Sequence, residues 1–165
     1  MTKDLRVDIM CLVWKILLFV GLFCGIFLFV FGVTSVEDRA MFPSIKDGDL
    51  VIFNRWDKVY SATDVVVIER NGEKQVCRVA AVAGDTVDIG EGGLLINGAL
   101  QQENGIYERT YRYREGIEFP ITLEKDEIFV LGDARENSTD SRIYGPVKMS
   151  DTCGTVMALL RHRGI

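Results

Sequence analysis

The chain has 165 residues, of which 48% are hydrophobic and 26% charged, and its formal net charge is −5. That balance excludes a nucleic-acid partner held by phosphate neutralisation. Once one membrane-length segment is set aside, the remainder suffices for one domain and not two. The single histidine, His162, sits three residues from the end, and there is no CxxC pair. A metal site would therefore lack its commonest ligands, and neither metal nor cofactor is expected.

Residues 16–34, ILLFVGLFCGIFLFVFGVT, carry no charge. An apolar run of about 18 residues or more spans a bilayer as a helix. A cleaved secretory signal has an apolar core of about 7–15 residues and a small-x-small cleavage site. This run is longer, and Ser35-Val36-Glu37-Asp38-Arg39 offers no such site, so an uncleaved anchor is predicted. Lys3, Arg6 and Lys15 precede the span, while the nearest cations after it are Arg39 and Lys46. This bias predicts residues 1–15 in the cytoplasm, residues 16–34 in the plasma membrane and residues 35–165 as an extracytoplasmic domain.

Beyond the anchor the pattern is one of short strands. Strands are predicted at residues 50–53, 65–68, 75–82, 86–89, 127–131 and 153–160. Turns fall at Asn71-Gly72, Gly84-Asp85, Gly92-Gly93 and Asn97-Gly98. No long 3.6-residue period follows Thr34. The fold class is therefore mainly β, of coiled antiparallel sheets, preceded by one transmembrane helix. Cys11 and Cys24 lie in or beside the apolar block. Cys77 and Cys153 are the two cysteines left for the domain; they could form one bridge, and two unpaired core thiols are the simpler expectation.

Three separated segments carry the chemistry. The first is Ala40-Met41-Phe42-Pro43-Ser44-Ile45, with Gly48-Asp49 after it. The second is Cys77-Arg78-Val79-Ala80-Ala81-Val82-Ala83-Gly84-Asp85. The third is Gly132-Asp133-Ala134-Arg135-Glu136-Asn137-Ser138-Thr139-Asp140-Ser141-Arg142, then Tyr144-Gly145-Pro146-Val147. Their order resembles the type I signal peptidase family, with its S26-like Ser/Lys peptidase fold. That family carries Ser-Met-x-Pro-Thr/Ser, then Lys-Arg-Val-x-Gly-x-Pro-Gly-Asp, then Gly-Asp-Asn-Arg-x-x-Ser-x-Asp-Ser-Arg. The resemblance implies a serine endopeptidase in which a neutral, buried lysine activates the serine that attacks a signal peptide.

Carried over position by position, the chemistry is missing. Ala40 occupies the nucleophile position and Cys77 the general-base position. Asp38 stands where the family has a hydroxyl that supports the oxyanion, and its charge would oppose one. Arg39 replaces a glycine. Ser138 matches the position that contacts the lysine, and Asp133, Arg135, Asp140 and Arg142 match the structural brace. Met41, Pro43, Val76 and Arg78 fall at substrate-groove positions.

No substitute is evident. Ser44 matches a structural Ser/Thr, and Ser35 lies at the membrane edge. Lys74 is an odd number of residues from Cys77 and so faces the other side of a strand. A thiolate at Cys77 would need a nearby cation; Arg78 should point away, leaving a buried, inert thiol. Glu37 and Asp38 read as a solvated segment.

The chain looks like the dyad-lacking signal-peptidase-like proteins of Gram-positive pilus loci. That implies a membrane-anchored, inactive protein that holds a pilin or other exported precursor peptide by strand addition. The alternative is an active type I signal peptidase with an altered or noncanonical site. A cytosolic self-cleaving repressor of the related fold is disfavoured by the anchor and by the lack of a DNA-binding segment.

Overall fold

The computed structural model describes residues 2–161. Helix α1 runs Thr2–Val30, and its stretch Arg6–Val30, 25 residues, is long and apolar enough to cross a membrane. At 1.5 Å per residue this stretch is about 37 Å long, against about 30 Å of bilayer hydrocarbon. Its side chains are exposed all round, with Trp14 and Leu28 about 70% open (69% and 70%), the pattern of a helix solvated by lipid.

The helix and the apolar run 16–34 have different bounds. The helix begins at Thr2, and it stops at Val30 because the backbone of the next residues is claimed by a strand. Strand β1, Phe31–Ser35, pairs antiparallel with β2, Leu50–Asn54, from Phe31↔Asn54 to Ser35↔Leu50. Apolarity is common to both elements, so hydropathy alone does not separate them.

Further strands are β3 (Val65–Arg70), β4 (Glu73–Ala81), β5 (Thr86–Gly90), β6 (Gly93–Ile96), β7 (Ala99–Leu100), β8 (Ile121–Thr122), β9 (Glu127–Leu131), β10 (Val147–Lys148) and β11 (Thr152–Leu160). A short helix α2, Ser141–Tyr144, precedes β10. Both predicted Asn-Gly turns are two-residue hairpins with left-handed backbone, φ 54° and 83° at Asn71-Gly72, and 53° and 79° at Asn97-Gly98. This is the turn whose twist suits antiparallel strands.

The strands form a seven-stranded sheet, β1-β2-β11-β3-β4-β9-β10, and a four-stranded sheet, β7-β6-β5-β8. The larger sheet is apolar on both faces. One face packs Tyr60, Val66, Ile68, Cys77, Val79, Ile128 and Val130. The other packs Val36, Met41, Ile45, Val51, Phe53, Val67 and Val76, with Cys153 against it. Cys77 and Cys153 thus belong to opposite faces, and both are free thiols. A third core under the smaller sheet joins Val87, Ile89 and Leu94 to Phe129 and Leu131.

Strand β9 pairs only with the far half of β4, from Arg78 to Ala81. The near half of β4, from Glu73 to Cys77, has no strand on that side among the described residues.

β11 changes register twice, where it bonds β3 and β2. At the first shift Gly154 adopts φ 143° with its Cα against the Asn54 carbonyl. A side chain there would meet both a forbidden φ and a backbone atom. Gly154→Ala is expected to cost about 2 kcal/mol or more, read as a lower urea midpoint with unchanged slope.

Candidate active site

The three segments singled out in the sequence meet beside the middle of β4, where Cys77 lies. The turn after β1 is held by backbone bonds, with the N–H of Val36 donating to the Asp49 carbonyl at 2.8 Å and that of Ile45 to the Met41 carbonyl at 2.9 Å. Ala40 is buried in this turn. Its carbonyl accepts from the Ala134 N–H at 2.9 Å, and its own N–H donates to the Asp38 carboxylate at 3.1 Å. That bond commits one Asp38 oxygen to the turn. Met41 is fully buried, Val76 is buried beside it in the same core, and Pro43 is partly exposed.

Cys77 is fully buried on β4 among apolar side chains. Burial pushes its thiol well above the usual 9.0, and the carboxylates of Asp140 and Asp38 push the same way. A hydrogen bond with Tyr144 opposes them, and Asp133 adds a further upward push. No cation is among these influences, and burial with the carboxylates outweighs the Tyr144 bond, so the thiol stays neutral. Tyr144 is itself held neutral, by burial first and then by Cys77 and Asp140. Its hydroxyl lies 3.4 Å from the Gln75 amide oxygen, and the Arg70 guanidinium sits 4.0 Å over its ring.

Arg78 points to the other side of β4. It grips Asp133 through two bonds of 2.8 and 2.7 Å and donates to the Thr63 carbonyl at 2.9 Å. Lys74 is exposed on that same opposite face, its ammonium 5.9 Å over the Phe53 ring. Neither nitrogen reaches Cys77.

The loop after β9 is a dense buried network. Asp140 accepts from the Arg142 side chain at 2.9 and 2.8 Å, from the Arg142 N–H at 3.1 Å and from the Gly132 N–H at 3.1 Å. It also accepts a hydrogen bond from the Ser138 hydroxyl. Arg142 in turn donates to the Ser138 hydroxyl oxygen at 3.0 Å and to the Arg135 carbonyl at 2.7 Å. The Ser138 hydroxyl is therefore turned into the brace. Arg135 bonds Thr110 at 2.9 Å and Glu103 at 2.5 Å, and reaches the Gly132 carbonyl. Gly132 is crowded by the Ser138 side chain and the Ala40 carbonyl, so only glycine lets the two loops touch.

Sequence reasoning missed Glu103, Thr110 and Tyr113, which complete this network from the segment between β7 and β8. The Tyr113 hydroxyl lies 3.1 Å from both the Arg135 and Ser138 carbonyls. That segment has little regular structure and no recognisable motif, so nothing local marks them. Tyr144 was visible in its Tyr-Gly-Pro-Val run, but its contact with Cys77 depends on α2. His162 lies outside the described residues. No group of three or more potential metal ligands occurs among the described residues.

Arg142→Ala would leave the Asp140 charge buried and unpaired. It is expected to destabilise the fold by about 3–5 kcal/mol, measured by chemical denaturation of the detergent-solubilised protein.

For Cys77, the folded value stands above the unfolded one near 9.0. Its neutral thiol therefore stabilises the fold fully below about pH 9, and that contribution is lost as pH rises towards the folded value. Native alkylation with iodoacetamide at pH 8, followed by mass spectrometry, should leave Cys77 unmodified, and Cys77→Val should flatten the alkaline loss of stability.

The chain matches the family described as signal peptidase, peptidase S26, over residues 9–160. Signal peptidase I of Bacillus caldolyticus is 33% identical over 145 residues, covering 78% of this chain and 79% of that protein. Thylakoidal processing peptidase 1 of Arabidopsis thaliana is 25% identical over 136 residues; the match covers 73% of this chain but only 39% of the plant protein. The crystal structure of a signal peptidase I from Enterococcus faecalis V583 superposes with a TM-score of 0.51 at 26% identity, over 61% of this chain and 99% of that one. The mainly β architecture, the three converging loops and these matches together establish that the chain belongs to the signal peptidase family, peptidase S26.

Proposed function

We propose that this protein is a catalytically inactive, membrane-anchored member of the family that binds exported precursor peptides, pilin precursors among them, as an assembly factor in secretion or pilus biogenesis. One observation carries the inactive reading. The nucleophile position holds a buried methyl group, and the base position holds a buried neutral thiol facing carboxylates. Attack on a carbonyl needs a nucleophile and a group to take its proton, and neither is supplied. Asp38 places a carboxylate where charge would develop, which disfavours an oxyanion. Removing members of such a unit costs several orders of magnitude in rate.

A peptide-binding role is supported by the space beside the site. A cleft of about 540 Å³ runs between Thr34, Ser35, Glu37 and Asp38 on one side and Gly72, Glu73 and Lys74 on the other. Its walls are the outer side of β1 and the unpaired half of β4. An extended segment laid there meets unpaired main-chain groups, the requirement for strand addition. In this reading α1 crosses the plasma membrane once, residues before it are cytoplasmic, and the β domain is extracytoplasmic, in keeping with the lysine and arginine bias.

The test is a panel of signal-peptide and pilin precursors incubated with the detergent-solubilised protein beside an Ala40→Ser, Cys77→Lys double variant and a triple variant adding Asp38→Ser. The wild type is expected to cut nothing while binding a fluorescent pilin precursor. In the double variant the carboxylates around position 77 favour the charged amine, so any cleavage should be slow and rise towards alkaline pH. Asp38→Ser should speed it. Cleavage by the wild type would refute the inactive reading, and failure to bind any precursor would refute the assembly role.

A further inference from the structure

The cleft between β1 and the unpaired half of β4 is walled by polar groups, and this decides what kind of segment fits it. Past Asp38, Glu73 and Lys74, which border both parts, it continues into a second hollow of about 320 Å³ bounded by Gln75, Thr139 and Tyr144. A signal peptide presents an apolar core and small residues at its cleavage site. Holding one takes apolar surface that is open to it. Here that surface is shut away. Met41 and Cys77 have no exposed area and Val76 is 3% exposed, because all three are packed in the cores of the larger sheet. Among the described residues bordering the two hollows, Tyr144 alone is aromatic or aliphatic. One face of its ring is already covered by the Arg70 guanidinium, 4.0 Å away.

What lies open is charge. Glu37, Asp38 and Glu73 bring carboxylates, Lys74 an ammonium and Arg70 a guanidinium. The ion pairs among the described residues all lie elsewhere, so none of these five is neutralised by a partner. One Asp38 oxygen takes the Ala40 N–H, and Glu37 accepts from the Ser35 hydroxyl at 3.3 Å. Register places Arg70 opposite Glu73 and Ile68 opposite Gln75, on the face of β4 that carries Cys77, while Lys74 shares the other face with Val76. A strand added to this edge alternates in the same way. Its successive side chains meet the Arg70–Tyr144 side and the Lys74–Glu37 side in turn. Unpaired charges of both signs along a free strand edge are complementary to an occupant that carries both signs itself.

We infer that the cleft takes a hydrophilic extended segment bearing both basic and acidic side chains, so that what the protein holds of an exported precursor is a polar stretch beyond the signal peptide and not the signal peptide itself. A lysine or arginine of the segment pairs with Glu37 and Asp38, and a glutamate or aspartate with Lys74 or Arg70. The inference rests on peptide binding at this cleft, as proposed above, and names the class of segment bound.

The test titrates the detergent-solubilised full-length protein with fluorescein-labelled peptides of equal length, read by anisotropy with binding to protein-free micelles subtracted. All share a threonine frame. One carries lysines and glutamates at alternate positions, one carries lysines only, one carries serines there, and one carries leucines and an Ala-x-Ala site. The lysine–glutamate probe should bind several-fold more tightly than the serine and leucine probes, and lose that margin at high salt. Glu37→Gln together with Asp38→Asn should weaken it about two- to five-fold per charge removed, the range of an exposed pair. Lys74 is exposed, and Lys74→Glu should move the preference to the lysine-only probe, a gain that misfolding cannot produce. Tighter binding of the leucine probe would overturn the inference while peptide binding stands. So would charged-probe binding indifferent to every substitution, or silence from all four probes while the fluorescent pilin precursor binds. Failure of the probes and the precursor alike would overturn both.

Discussion

The Asp140 carboxylate is fully buried and accepts five hydrogen bonds, three from Arg142, one from the Gly132 N–H and one from Ser138. Everything around the site hangs from it. Arg142 reaches from Asp140 to the Arg135 carbonyl, Arg135 reaches on to Glu103 and Thr110, and Gly132 touches the Ala40 carbonyl. A buried pair of this kind contributes little net stability relative to a well-packed apolar core, because desolvation offsets the Coulomb gain. What it fixes is geometry. The Arg142 guanidinium bonds Asp140, Ser138 and the Arg135 carbonyl at once, so three loops are held in one arrangement.

That arrangement closes on its own side chains. The brace needs no lysine at position 77: its bonds close among Glu103, Thr110, Ser138, Asp140 and the two arginines. The small Cys77 thiol, under Tyr144, fills its place in the apolar core. The electrostatics have shifted with it. Asp140, Asp38 and Asp133 all push the Cys77 thiol up, with no ammonium among the influences on it, and Asp38 lies beside Ala40. In such a field a proton stays on the thiol, and an oxyanion would be opposed.

The same sheet that carries this site also receives the chain from α1. Strand β1 is the common element: its inner side packs on the core and its outer edge bounds the cleft.

Residue type and spacing alone determined the family, the mainly β class and both Asn-Gly hairpins, because motifs and left-handed turns are local properties. They also carry the expectation that Ala40 and Cys77 stand at the catalytic positions, where a hydroxyl and an amine are absent. The helix end at Val30 was decided by tertiary structure, because Phe31–Ser35 is as apolar as the span and only β2 tells strand from helix. The partners of the brace, Glu103, Thr110 and Tyr113, were likewise invisible, being far in sequence from Arg135 and Arg142 and joined to them only by packing. The burial of Met41 and Val76, which leaves the cleft to polar side chains, is of the same kind. An apolar residue can line a groove or fill a core, and which of the two it does depends on where the neighbouring strands and loops come to lie.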